Sequence, residues 1–106
     1  MPITVLDSTF KAWIDKMPGS SPKLIVIGKV EAPTLGWKIS LGKANPGINP
    51  TIIILDITAI PPRGTVPQVI TQHDLRFEET PPQEEYEQAT IRYDGKEFTI
   101  RVKIVS

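Results

Sequence analysis

The chain has 106 residues, no cysteine and a net charge of zero, with 40% hydrophobic and 23% charged residues. This is the size of one domain and the composition of a soluble globular protein. The missing cysteine excludes a disulfide framework, a thiolate nucleophile and a cysteine metal site, and the balanced charge argues against a general nucleic-acid binder.

Residues 1–22 are predicted to form an N-terminal arm with a short helix. After Asp7, four apolar residues recur at the spacing of one helix face: Phe10, Trp13, Ile14 and Met17. Pro18-Gly19 would end this helix, which we expect to cover one open end or face of a sheet. An irregular arm is the alternative.

The rest of the chain consists of apolar runs separated by proline and glycine, which is typical of β-strands joined by corners. The predicted strands are 23–31, 36–44, 51–60, 68–78, 86–93 and 96–105. Gly28 indicates a bulge or a close backbone approach within the first of these runs. Asp94-Gly95 predicts a two-residue type I′ hairpin turn between the last two.

Alternation along two of the runs predicts which side chains face the core. We expect the following residues to point inward: Trp37, Ile39, Leu41, Phe98, Ile100, Val102 and Ile104. Lys38, Ser40 and Lys43 are expected to point outward.

These elements predict an all-β fold, an antiparallel immunoglobulin-like β-sandwich of six to seven strands with one short N-terminal helix. Residues 1–106 would form a single domain, with the arm over 1–22 and the sandwich over 23–105. An open barrel is the alternative architecture.

His73 is the single histidine, and it raises the question of catalysis. It could act as a general base beside Asp74 with a serine as nucleophile. The sequence shows no G-x-S-x-G elbow, and His73 lies on the apolar face of its run. We therefore expect a partly buried packing residue with a backbone partner, and no catalytic residues.

Three residues are candidates for binding a partner: Trp37, Arg63 and His73. Tryptophan is frequent in binding hot spots, but we expect Trp37 to be a core residue, whereas Trp13 could equally be a core residue or a binding residue. A cluster of acids could bind calcium or a basic partner, but it lacks the order of an EF-hand loop and is expected to be a solvated loop: Glu78, Glu79, Glu84, Glu85 and Glu87. No metal site and no cofactor are expected.

Two segments, Gly36-Trp37-Lys38-Ile39 and Pro61-Pro62-x-Gly64-x-x-x-Gln68-Val69-x-Thr71, resemble the C-terminal domain of the bacterial protease-complex subunit PrcB. That domain has a Gly-Gly-Tyr strand opening and a later Pro-x-Gly…Thr-Gln-Val-x-Thr segment. Leu35 and Trp37 take the places of its first glycine and its tyrosine. The resemblance, over about residues 25–77, implies a small β-domain without catalysis of its own.

The sequence thus favours a non-enzymatic protein-interaction module from a bacterium. A small hydrolase or ligand-binding domain that uses His73 is the first alternative, and a structural subunit that self-associates through a sheet edge is the second. We expect a protein partner or self-association, with no nucleic acid and no membrane. Because the N-terminus shows no signal peptide and no run long enough for a membrane span, we expect a cytoplasmic protein.

Overall fold

The computed structural model describes residues 3–44, 49–82 and 85–105, and these residues form seven β-strands and no helix. The strands are β1 (Thr4–Asp15), β2 (Lys23–Ala32), β3 (Lys38–Lys43), β4 (Ile52–Ile60), β5 (Thr71–Glu79), β6 (Gln88–Tyr93) and β7 (Lys96–Val105). The all-β class is confirmed, and each predicted strand is present with ends that differ by a few residues.

One sheet contains all seven strands, in the order β3-β4-β6-β7-β1-β2-β5. The pairs β4–β6 and β1–β7 are parallel, and the other neighbours are antiparallel. The sheet curls until its edge strands β3 and β5 come together, so that it nearly closes into a barrel. The predicted immunoglobulin-like sandwich is therefore replaced by a single curled sheet, which is closer to the open barrel that the sequence left as the alternative.

β1 occupies the segment that the sequence predicts to be a helix, and that prediction is wrong. Phe10, Ala12 and Ile14 alternate into the core and are buried. The strand has a neighbour on each side, since Ala12 pairs with Val26 on β2 and with Val102 on β7. As a strand, this segment forms backbone hydrogen bonds on both edges and buries every second side chain. These gains favour the strand over a helix, although the large side chains also have helical spacing.

A wide bulge interrupts the pairing of β1 with β2. Residues 7–10 lie opposite the single residue Gly28, because the register shifts between Leu6 and Lys11. The side chain of Thr9 replaces part of the missing ladder. Its hydroxyl donates to the carbonyl oxygen of Leu6 and accepts a 2.9 Å hydrogen bond from the backbone N–H of Lys29.

The bulge seats the ring of Phe10 directly on the backbone of Gly28. A Cβ atom added at Gly28 would lie 2.3 Å from the Phe10 ring. Phe10 also meets Phe98 of β7 edge to face, with ring centroids 5.3 Å apart and an interplanar angle of 74°. The close approach that Gly28 indicated in the sequence is thereby confirmed, and Phe10 connects β1, β2 and β7 in the core.

Apolar side chains fill the interior of the barrel, as expected for a barrel with this few strands. The largest fully buried side chains are Leu24, Ile53, Leu55, Ile91, Val26 and Val30. Trp37 and Ile39 are half-buried and pack against this core, and Leu41 is buried, as their alternation predicted.

Lys43 is exposed, as expected for an outward residue, but it has the same parity as Ile39 and Leu41, and its amine contacts the hydroxyl of Tyr86 at the barrel end. The predicted orientation of Ile104 is wrong. Ile104 was expected in the core but is 56% exposed, because it lies where β7 borders an open cleft.

The turn between β6 and β7 is confirmed as a type I′ turn. Asp94 has a φ of 52° and Gly95 a φ of 76°, the two positive values that this turn requires.

The contact between Phe10 and Gly28 can be tested with an added methyl group. Gly28→Ala should lower the free energy of unfolding by about 1–3 kcal/mol, because the ring has to move within a filled core. Gly42→Ala on β3 is the matched control, since nothing lies within 4 Å of the added Cβ there. Urea denaturation of both variants measures the difference, and equal stability would show that Phe10 does not rest on Gly28.

Candidate functional site

The three candidate binding residues lie around one end of the barrel. Residues 33–37 form the turn between β2 and β3, and residues 61–70 form the loop between β4 and β5. The two segments meet where the backbone N–H of Leu35 donates to the carbonyl oxygen of Pro67 at 3.4 Å. Trp37 ends the turn, Arg63 lies in the loop and His73 follows the loop on β5.

Side-chain hydrogen bonds fix this junction. Trp37 Nε1 donates to Thr34 Oγ1 at 2.9 Å, and Thr71 Oγ1 donates to the carbonyl oxygen of Thr34 at 3.2 Å. His73 Nε2 lies 3.1 Å from the same Thr71 oxygen. The structure therefore brings Trp37 and His73 into one hydrogen-bonded chain, with two threonines between them.

The direction of the contact between His73 and Thr71 depends on the imidazole tautomer. The hydroxyl of Thr71 has one hydrogen, and where that hydrogen is donated to the carbonyl oxygen of Thr34, His73 Nε2 must be the donor to Thr71. A base that activates a nucleophile needs the opposite direction. Asp74, the predicted partner, follows His73 directly in a strand, so it points to the other face and is exposed.

Four aliphatic side chains are exposed around the same junction. Leu35 is 42% exposed, Ile60 54%, Val69 51% and Ile70 72%. We call this group the apolar end. Large aliphatic side chains exposed singly are ordinary, but four at the meeting point of one turn, one strand end and one loop indicate a contact surface.

Two cations border the apolar end. Lys38 pairs across the β3–β4 ladder with Ile60, which places both side chains on the same face. Arg63 is exposed in the loop beside Pro62, whose ring would lie 2.8 Å from a Cβ atom at Gly36. Within the described residues, neither cation has an ion-pair partner.

A cluster of charged side chains lies at the opposite end of the barrel. Lys43 Nζ lies 2.7 Å from Glu79 Oε2 and 3.1 Å from the hydroxyl of Tyr86, which in turn donates to Glu79 Oε1 at 2.9 Å. The side chain of Glu79 is only 13% exposed, and Tyr86 is buried. The cluster joins the ends of β3 and β5, the two edges of the sheet.

None of these residues was predicted to form a site, although strand parity signals the pairing of Lys43 with Glu79. Glu79 has the same strand parity as Leu75 and Phe77, just as Lys43 has that of Leu41. A charged residue at an inward position on each edge strand indicates an ion pair at a barrel end.

Electrostatics in the cluster follow from these contacts. The hydrogen bond from Lys43 to Glu79 is the largest cause of the raised pKa of Lys43. The pKa of the Tyr86 hydroxyl is raised chiefly by burial. Both shifts keep the Lys43 ammonium and the Tyr86 hydroxyl protonated to higher pH, so that both can donate hydrogen bonds to Glu79.

The predicted acidic loop is only partly a loop. Glu78 and Glu79 belong to β5, where Glu78 pairs with Lys23 at 3.5 Å and with Arg76. Glu85 and Glu87 are exposed, and Glu84 lies outside the described residues. In the part of the chain that the structure describes, no cluster of histidine, aspartate or glutamate could hold a metal ion.

Open clefts lie at both ends of the barrel, and His73 does not line them. One has a volume of about 870 Å³ and is lined by residues such as Ile14, Tyr86 and Arg101. At the other end, clefts of about 470 Å³ and 560 Å³ are lined by residues such as Ile3 and Tyr93. Trp13, on the outer face of β1, lines none of these clefts and is half-buried.

Comparisons with known proteins found no matching family model, no matching curated protein and no matching solved structure. They do not bear on the resemblance to the PrcB domain, which stays a prediction from the sequence. Among the described residues there is no helix long and apolar enough to cross a membrane.

The ion pair predicts a loss of stability in alkaline solution. The pKa of Lys43 is raised in the folded state above its ordinary value of 10.5. The ion pair therefore contributes fully to the free energy of unfolding below pH 10.5, and this contribution is lost as the pH rises through the raised pKa. The side chain is 32% exposed, so we expect about 1 kcal/mol or less.

The measurement is urea denaturation between about pH 9 and pH 12. Both proteins carry Tyr86→Phe, because the phenol titrates in the same pH range, and one of them also carries Lys43→Met. The single variant, which keeps Lys43, should lose more stability over this pH range than the double variant. An equal loss would mean that Lys43 has no folded-state partner.

Proposed function

We propose that this protein is a non-enzymatic protein-interaction module that binds through the apolar end. The observation that carries this proposal is the exposure of Leu35, Ile60, Val69 and Ile70 around one hydrogen-bonded junction. Exposed aliphatic groups lose contact with water when a partner covers them, which favours association.

The packing of the barrel favours binding at its surface. The inward side chains form one continuous core, and the cavities are clefts open at the barrel ends, lined in part by core residues such as Ile14 and Ile91. A small ligand would have to bind in an end cleft, whereas a partner at the apolar end needs no cavity.

Prolines and hydrogen bonds also restrict the junction before any partner arrives. Pro61, Pro62 and Pro67 restrict the loop, and the bonds from Trp37 and Thr71 to Thr34 fix the turn against it. A surface that is ordered in advance loses less entropy on binding.

Charge defines the partner further. Lys38 and Arg63 border the apolar end without ion-pair partners among the described residues. A protein segment with apolar residues flanked by carboxylates would cover the aliphatic groups and pair with both cations. We therefore infer that the partner presents an apolar segment with acidic flanks.

The hydrolase alternative is tested by His73→Gln. We expect no turnover of generic ester, phosphoester or peptide substrates by wild type or variant, because Asp74, the carboxylate expected beside His73, points to the other face of β5. Loss of general base catalysis costs about two orders of magnitude or more in rate. Turnover by the wild-type protein that disappears in His73→Gln would therefore replace the binding proposal.

The apolar end is tested by matched serine variants. Ile70→Ser removes its most exposed side chain, and Ile104→Ser removes one of similar size and 56% exposure at the other end of the barrel. Affinity purification with each protein, followed by mass spectrometry, identifies candidates that Ile70→Ser loses and Ile104→Ser keeps. Synthetic peptides from those candidates then give dissociation constants.

We expect a peptide with acidic flanks whose affinity falls about tenfold or more with Ile70→Ser. The affinity should also fall with Arg63→Gln and with neutralised peptide acids. Candidates that bind both serine variants equally would exclude the apolar end. A wild-type dimer that Ile70→Ser makes monomeric would assign this surface to a second copy instead.

A further inference from the structure

The boundary between β3 and β5 differs from every other strand boundary in the sheet, and we call it the seam. All other neighbouring strands share a backbone ladder. The two seam strands are described in full, yet no ladder joins them, although they lie side by side. The seam is therefore closed by side chains rather than by backbone hydrogen bonds.

Contacts at the two ends hold the seam. At one end, Lys43 of β3 and Glu79 of β5 form the ion pair that Tyr86 completes. At the other end, Thr71 of β5 donates to the carbonyl oxygen of Thr34, in the turn that leads into β3. Between these ends, the inward side chains of Leu41 and Leu75 are 8% and 4% exposed.

Opening the seam would break these side-chain contacts, but it would break no backbone hydrogen bonds between strands. Separating any other pair of neighbours would break several backbone hydrogen bonds that water can only partly replace within the core. The charged cluster is the stronger of the two ends, because its hydrogen bonds involve ionised groups in a partly buried position.

We propose that the seam opens as a local unit, separately from the rest of the barrel, and that the cluster of Lys43, Glu79 and Tyr86 holds it closed. Opening exposes Leu41, Leu75 and the free backbone edges of β3 and β5. Such edges pair readily with other extended chains, so the cluster also limits unwanted strand pairing. This inference does not depend on binding at the apolar end.

A single introduced thiol can report the opening, since the chain has no cysteine of its own. Leu75→Cys places the thiol inside the seam, and Val26→Cys places a near-isosteric thiol on β2, where the wild-type side chain is 0% exposed. The rate of modification by iodoacetamide is measured for both proteins by mass spectrometry at low urea concentrations. If Leu75→Cys does not fold, Leu41→Cys provides the thiol on the opposite side of the seam.

Two further substitutions are combined with each thiol. Tyr86→Phe removes only the hydroxyl that bonds to Glu79. Arg92→Met is the control, because it removes the Arg92–Asp56 ion pair, which bridges the hydrogen-bonded strands β4 and β6 at 2.8 Å.

The seam thiol should react faster than the Val26→Cys thiol. Its rate should also depend less on urea, because local opening exposes less surface than global unfolding does. Tyr86→Phe removes the hydroxyl's bonds to Glu79 and Lys43, so it should speed the seam thiol about threefold or more. It should also speed the Val26→Cys thiol, because global unfolding loses the same bonds.

Arg92→Met should leave the seam thiol unchanged, since the β4–β6 pair stays intact during local opening, and can speed only the Val26→Cys thiol. Equal rates with the same urea dependence would overturn the proposal, as would a seam thiol that does not respond to Tyr86→Phe or one that responds to Arg92→Met as much as the Val26→Cys thiol does.

Discussion

The contact between Phe10 and Gly28 is the constraint on which the rest of the sheet depends. Only a residue without a side chain at position 28 lets the aromatic ring lie on the backbone of β2 while it meets Phe98 of β7. The bulge over residues 7–10 brings the ring there. Beyond the bulge, β1 runs between β2 and β7 and connects two groups of strands into one sheet.

The position of the proposed functional surface follows from that connection. Because β1 joins the two groups, β3 and β5 become the edges of a single curled sheet and meet on its far side. The turn before β3 and the loop before β5 then lie together at one end of the barrel. Four exposed aliphatic side chains gather there, while the charged cluster closes the opposite end of the seam.

Most strands could be predicted from the sequence because their signals are local. Alternating apolar residues and the Asp94-Gly95 turn depend on neighbours in the chain, and the structure agrees with them. The helix prediction failed at Phe10 and Ile14, whose spacing fits a helix as well as a strand. Only pairing with β2 and β7, distant in the chain, decides between the two.

The candidate site likewise depends on contacts between residues that are distant in the chain. Trp37, Arg63 and His73 were found as residue types, but their meeting at one end depends on the closure of the sheet. His73 bonds to Thr71, whose hydroxyl also bonds to the carbonyl oxygen of Thr34, and no sequence pattern gives this chain of contacts. Lys43 and Glu79 could have been recognised by strand parity, but their pairing required β3 and β5 to be neighbours.

Through-hydrogen-bond scalar couplings, measured by nuclear magnetic resonance on the isotope-labelled protein, test the central claim most directly. The account predicts couplings between β1 and β7, where Ala12–Asp15 pair with Val102–Val105, and none between β3 and β5. Couplings across the β3–β5 boundary would show a ladder in place of the side-chain seam. Missing couplings between β1 and β7 would show that β1 does not unite the sheet.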